Sequence, residues 1–322
     1  MRPVIETRGL VKRYDGETAV AGVDLVVQPG EIYGLVGPNG AGKTTTMRML
    51  ATLLAPTAGQ AVVCGVDVMD DPVEVRRRIG YMPDFWGVYD DLRVWEYLDF
   101  FARCYGVPTS RRASVIGELL EIVDLGDKRD AYVESLSRGM RQRLCLAHTL
   151  VHDPELLILD EPASGLDPRA RVEMREILRA LSGMGKTILV SSHILPELGE
   201  LCTAVGIIDH GRLLRSGRIA DIERSLQATA QLRIDLLSNL EQAVAFLGTD
   251  PRVSSVLEIE GGIGTARVEV SFDGGPEEQS ALLQAMIEDG HRVAGFGQAT
   301  SGLEEIFLRV TGSVAGDEET AA

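Results

Sequence analysis

The sequence predicts an α/β protein in which a parallel sheet covered by helices is followed by a smaller α+β domain. GEIYGLVG (30–37), ELLILDE (155–161) and TILVSSH (187–193) are near-continuous apolar runs, the composition of strands buried on both faces. Helical segments alternate with short apolar strands over residues 1–220, the rhythm of a parallel sheet flanked by helices. After about residue 222 the pattern changes to strand, helix, strand, strand, helix, strand.

Size and charge narrow the functional classes. With 322 residues, the chain has enough length for about two domains. A hydrophobic fraction of 45% and a charged fraction of 25% are those of a folded globular protein. The formal net charge of −16 repels nucleic acid and anionic headgroups at long range. Cys64, Cys104, Cys145 and Cys202 lie at least 40 positions apart. That spacing suits neither a zinc knuckle nor a dense disulfide framework, and reduced, buried, cytoplasmic thiols are expected. The chain shows no apolar run of membrane-spanning length, and MRPVIETRGLVKRYDG lacks the apolar core of a secretion signal. Any membrane role is expected to be that of an attached, peripheral subunit.

The first apolar strand runs into GPNGAGKTT, residues 37–45, and then into the helical TTTMRMLATLL. This is the full G-x-x-x-x-G-K-[ST] pattern in its required strand-to-helix context. Gly37, Pro38, Asn39, Gly40, Ala41, Gly42, Lys43, Thr44 and Thr45 form the loop. Its glycines let backbone N–H groups wrap phosphates, and the helix start adds its positive dipole end. Lys43 reaches the β- and γ-phosphates, while Thr44 can ligate Mg²⁺. A nucleoside triphosphate is the expected ligand.

Residues 90–152 read as a helical subdomain, with VWEYLDFFARCYG and RASVIGELLEIVDLG in helical period. Near its end, SLSRGMRQRL (135–144) sets a Ser and a Gly at a second helix start. ELLILDE then ends in Asp160 and Glu161. At the carboxyl end of a strand both acids can reach a nucleotide, Asp160 in a Mg²⁺ shell and Glu161 orienting or deprotonating water.

With its phosphate loop, SLSRGMRQRL and LILDEPASGLD (158–167) in this order, the chain resembles the ATP-binding subunit of an ABC transporter over residues 1 to about 220. The resemblance implies a P-loop ABC ATPase core. It makes residues 135–144 the signature motif, in which Ser137 and Gly139 close on the γ-phosphate held by a facing second copy. It further implies that Tyr14 stacks on adenine, that Asp167 crosses the dimer interface and arranges the opposite site, and that His193 touches the γ-phosphate. Two chains would then sandwich two MgATP head to tail. LSRGM, SSHILPELGELC, IIDHGRLLRSG and GLEEIFLRVTG resemble most the ATPases of two-gene exporters of drugs, lipids, polysaccharides or ions, which act through a separate permease.

Two positions depart from the family pattern. Asp84 stands where most members carry Gln. A carboxylate cannot donate to water, but it can accept a hydrogen bond or join a Mg²⁺ shell. Asp84 is therefore read as a catalytic sensor and metal-site candidate. Arg138 and Met140 replace a Gly and a Gln of the commoner LSGGQ, leaving the phosphate-contacting Ser137 and Gly139 in place. His148 and His152 have a metal-compatible helical spacing without a third ligand nearby, so they are read as plain helix positions.

The second domain is expected over 222–314 as a ferredoxin-like split β-α-β arrangement. SGLEEIFLRVTG closes it as a helix, and 315–322 follow as an acidic tail. The GGIG at 261–264 reads as a hairpin turn between strands.

Non-transport readings remain as alternatives. Ribosome-acting relatives usually carry two cassettes per chain, and DNA-structural ones separate loop from signature by long coiled coils. Here Lys43 and Ser137 are 94 residues apart, and the net charge opposes nucleic acid as a partner. An ATP-binding self-resistance protein that drives no transport is a third alternative, distinguished by an ATPase assay.

Residues 81–105 hold nine of the 16 aromatics. Phe100 and Phe101 are read as core, and Phe85, Trp86 and Tyr89 as contacts with the permease. Trp86→Ala is expected to leave nucleotide binding nearly intact while weakening co-purification with that permease; an undiminished complex would count against the docking role.

Overall fold

The computed structural model describes residues 2–84, 87, 89–226, 230–237, 239–259 and 266–298. The closing helix expected at SGLEEIFLRVTG, the acidic tail, the GGIG turn and the aromatics Phe85 and Trp86 lie outside the described residues. The chain divides into two compact units, the first holding Met1–Ile219 and the second beginning at Ala220.

The first unit is built on a six-stranded sheet ordered Arg212–Arg218, Ala204–Asp209, Ile32–Val36, Thr187–Ser192, Leu156–Leu159, Ile79–Met82. The last five pair in parallel, and Arg212–Arg218 is an antiparallel edge. All residues of Ile32–Val36, Leu156–Leu159 and Thr187–Ser192 are buried. That explains why these strands read as unbroken apolar runs rather than as alternating ones.

Parallel alternation does not extend to the N-terminus. Ile5–Tyr14 pairs antiparallel with Glu17–Val23, Val26–Val27 and Ala58–Val63, forming a separate five-stranded sheet with Val66–Asp67. These strands are polar on one side, burying Ile5, Leu10, Val20, Val23 and Val63, as antiparallel sheets with one wet face do. That buried side joins Tyr33, Leu35, Met47, Leu50 and Leu189 in one core, which clamps the helix Lys43–Leu50.

The helical subdomain comprises Val94–Cys104, Thr109–Ile122 and Arg138–Thr149 with two short 3₁₀ turns. Glu96 starts the first helix by accepting from the Arg93 N–H at 2.8 Å, one half of a capping box. Phe100 is 43% exposed, which corrects its reading as core, and its ring packs edge-on against Tyr89 and Phe101. Cys145 and Cys202 are buried, whereas Cys104 is exposed and Cys64 half-buried, so the expectation of four buried thiols holds for two.

The second unit is a four-stranded antiparallel sheet ordered Val253–Ile259, Ala266–Phe272, Ala230–Leu236, Val293–Gln298. Helices Leu240–Leu247 and Pro276–Glu288 contribute Ala243, Leu247, Leu282 and Met286 to its core, beside Leu232, Ile234, Val270 and Phe272. On the alternate positions Arg233 pairs with Glu269, and Arg267 with Asp235.

His148 and His152 are packing residues of the subdomain. His148 lies on the helix Arg138–Thr149, bonds Tyr97 Oη through Nδ1 at 3.1 Å and stacks on Phe101. His152 falls in the turn beyond that helix rather than on it. It donates from Nε2 to the Ile79 carbonyl at 2.8 Å and stacks on Tyr105. Burial, with a smaller repulsion from His152, pushes the His148 imidazole from 6.5 down to about 4. The unfolded chain therefore takes up a proton at a pH where the fold holds the ring neutral. Stability is expected to be intact above pH 6.5 and to fall as pH drops toward 4, by on the order of 3 kcal/mol from this group. Denaturant melts of the wild type and His148→Gln across that window check it: the variant should show a shallower slope.

Candidate active site

The carboxyl ends of the parallel strands converge on one edge of the sheet. Ile32–Val36 leads into the phosphate loop, where a Cβ at Gly37 would run into the Ile208 carbonyl. Gly42, at φ 102°, caps the helix Lys43–Leu50 in the left-handed region that favours glycine. These two positions explain why the turn must be glycine-rich. Lys43 is 6% exposed, and its Nζ donates to the Gly37 and Pro38 carbonyls at 2.6 and 3.1 Å.

The two acids follow Leu156–Leu159. Asp160, 1% exposed, donates its backbone N–H to Met82 O at 2.8 Å and so stays in register with the neighbouring strand. Its Oδ1 accepts from Ser191 Oγ at 2.6 Å, while Oδ2 is buried and has no hydrogen-bond partner among the described residues. Glu161 adopts φ 50°, unusual for a residue with a Cβ. Its N–H donates to the same Ser191 Oγ at 2.9 Å. The carboxylate accepts from His193 Nδ1 at 2.9 Å through Oε2 and lies 3.7 Å from Lys43 Nζ through Oε1.

A cavity of about 180 Å³ collects Pro38, Asn39, Gly40, Ala41, Gly42, Lys43, Thr44 and Thr45 with Asp84, Glu161 and Ala19. The expected loop residues thus meet Asp84 and Glu161 in one place; Asp160 and His193 do not line the cavity, His193 being joined to it through its bond to Glu161. Asp84, two residues past the strand Ile79–Met82, lines this cavity. Tyr14, at the end of Ile5–Tyr14, is 44% exposed with Lys12 Nζ 5.2 Å from its ring centroid, and it does not line that cavity.

Ser137, Gly139 and Asp167 line a different cavity, of about 620 Å³. Ser137 Oγ accepts from the Met140 N–H and caps Arg138–Thr149; Asp167 Oδ1 caps Pro168–Gly183 by accepting from the Ala170 N–H. Arg138 donates to Ser164 O at 3.3 Å. It packs over Gly165, where any Cβ would meet its guanidinium. The arginine at the departing signature position therefore braces the loop 164–167 of its own chain. No residue lines both cavities.

Sequence reasoning missed Ser191. Its signal was a hydroxyl in an otherwise apolar run, TILVSSH.

The family model described as ABC transporter matches residues 20–164. The daunorubicin/doxorubicin resistance ATP-binding protein DrrA of Streptomyces peucetius is 38% identical over 317 residues, spanning 98% of this chain and 94% of that protein. The Nod factor export ATP-binding protein I of Ralstonia nicotianae is 36% identical over 319 residues, covering 96% and 94%. A solved structure of an ATP-binding subunit of an ABC transporter superposes with a TM-score of 0.63 at 30% identity, covering 70% of this chain and 93% of that one. With a phosphate loop, paired strand-end acids and a signature helix start on a shared α/β core, the chain belongs to the family of ATP-binding subunits of ABC transporters.

Proposed function

We propose that this chain hydrolyses MgATP to power export through a separate membrane permease, two copies closing head to tail on two nucleotides. One observation carries the reading: the phosphate loop and the serine-led signature turn line cavities with no residue in common. Within one chain each is half a site, and a second copy supplies the other half. The names of the relatives, a drug-resistance ATP-binding protein and a Nod factor export ATP-binding protein, support export.

Among the described residues no helix is long and apolar enough to cross a membrane. Attachment to the cytoplasmic face then runs through the permease, for which the aromatic segment around Tyr89, 56% exposed, is the proposed docking surface.

In the proposed site Lys43 exchanges its two loop carbonyls for the β- and γ-phosphate oxygens, and the backbone N–H groups of residues 39–44 surround them. Tyr14 takes the adenine. Asp160 Oδ2, buried and without a partner among the described residues, fits a cation, and Thr44 and Asp84 complete the set that would hold Mg²⁺. Bound there, Mg²⁺ neutralises charge on the phosphates. Glu161 draws the proton from the attacking water, while His193 donates a ring N–H to a γ-phosphate oxygen. Ser137 and Gly139 of the facing copy close over that phosphate, and Asp167 positions the loop between the two sites.

For the second unit we propose the ferredoxin-like split β-α-β arrangement over about 222–314. Its antiparallel strand order and two crossover helices support that assignment.

Glu161→Gln is expected to keep ATP binding and to lower turnover about 10²–10⁴-fold; a wild-type rate moves the base elsewhere. Lys43→Ala and Gly139→Asp should each be inactive alone, the second because a carboxylate would face the partner's phosphates. Mixed, they should regain turnover, because the heterodimer contains one intact site. Failure of mixing to restore any activity would sink the shared-site reading.

A further inference from the structure

We propose that Ser191 is a positioning residue that sets both strand-end acids at once, aiming Asp160 toward the metal and holding Glu161 in its strained backbone conformation. This rests on the assignment of Asp160 and Glu161 made above and adds the element that orients them.

Ser191 sits on the strand Thr187–Ser192, where Leu159 pairs with Val190. The next residue on each strand therefore brings Ser191 beside Asp160. The hydroxyl has one proton and accepting lone pairs, and the neighbours fix how each is used. A carboxylate oxygen at 2.6 Å can only accept, so Ser191 donates to Asp160 Oδ1. A backbone N–H at 2.9 Å can only donate, so Ser191 accepts from Glu161. The residue is 0% exposed and Asp160 1%, so solvent cannot supply either bond in its place.

Two consequences follow. Binding Oδ1 fixes the rotation of the Asp160 carboxylate and leaves Oδ2, buried without a partner among the described residues, as the oxygen offered to a cation. Holding the Glu161 N–H secures φ 50°, a conformation that persists in a residue with a Cβ only when its surroundings enforce it. That conformation aims the Glu161 side chain between Lys43 and His193. Ile188 and Leu189 on the same strand are 0% exposed and Val190 2%. The packing would accept an apolar residue at 191, and it is the two acids that use the hydroxyl.

The test compares the full-length wild type with Ser191→Ala and Ser191→Thr. Fluorescent ATP is titrated in EDTA and then with increasing Mg²⁺, and steady-state kcat and KM are measured separately. Ser191→Ala is expected to bind ATP without metal as tightly as the wild type. It should need about 10–100-fold more Mg²⁺ to form the metal-bound complex and lose kcat by a similar factor, as changes behind a metal ligand do. KM for ATP at saturating Mg²⁺ should move less than about threefold. Ser191→Thr, which keeps the hydroxyl, should restore both quantities.

An alanine variant with the wild-type Mg²⁺ requirement and kcat overturns the proposal. So does a loss shared equally by Ala and Thr and already present in metal-free binding, which marks a packing role. If Ser191→Ala loses its melting transition, Ser191→Cys, close in size and a weak hydrogen-bonder, replaces it with the same expectations. A slow Glu161→Gln beside an unimpaired Ser191→Ala would reject Ser191 alone, whereas a fast Glu161→Gln would reject the underlying assignment of the base.

Discussion

Parallel pairing of Ile32–Val36 with Thr187–Ser192, and of Thr187–Ser192 with Leu156–Leu159, is the constraint from which the site follows. Because these strands run in one direction, their carboxyl ends reach the same edge of the sheet. There the chain must leave the sheet with backbone groups and side chains no longer consumed by strand pairing. The phosphate loop, Asp160 with Glu161, and His193 are the three exits. A one-residue slip of Thr187–Ser192 against Leu156–Leu159 would turn Ser191 away from Asp160 and leave a second buried carboxylate oxygen unpaired, a costly exchange.

The site is held by buried polar contacts more than by charge. Lys43 and Glu161 stand 3.7 Å apart, beyond hydrogen-bond distance, while Lys43 is held by two loop carbonyls and Glu161 by His193 and Ser191. Each group therefore has alternative partners to trade when phosphate arrives. The signature side is organised differently, by two helix caps, Ser137 and Asp167, and by Arg138 lying over Gly165. Ser137, Arg138, Gly139 and Asp167 line a cavity in which the phosphate loop takes no part, which is the physical basis for the proposal that the functional unit is two copies.

Much of this was legible from residue order. The apolar runs identified the central strands because burial on both faces leaves no polar alternation, and the phosphate loop identified itself because its glycines and lysine have a mechanical reason for their spacing. The six elements after residue 229 were also legible, since each alternates or repeats cleanly over a short span. The N-terminal antiparallel sheet was not: its strands share composition with connecting segments, and nothing local says that Ile5–Tyr14 will pair with Ala58–Val63. Phe100 was misread because a helical period shows which residues share a face, not whether another element covers that face.

Residue order was therefore sufficient for the kind of chemistry, because a loop that wraps phosphate and a strand that ends in two acids are local objects whose parts are chain neighbours. It could not assign Ser191 its two bonds, place His152 against Tyr105, or separate the signature cavity from the phosphate loop. Those depend on groups brought together from distant parts of the chain by strand register and helix packing, and contacts of that kind leave no mark on neighbouring residues.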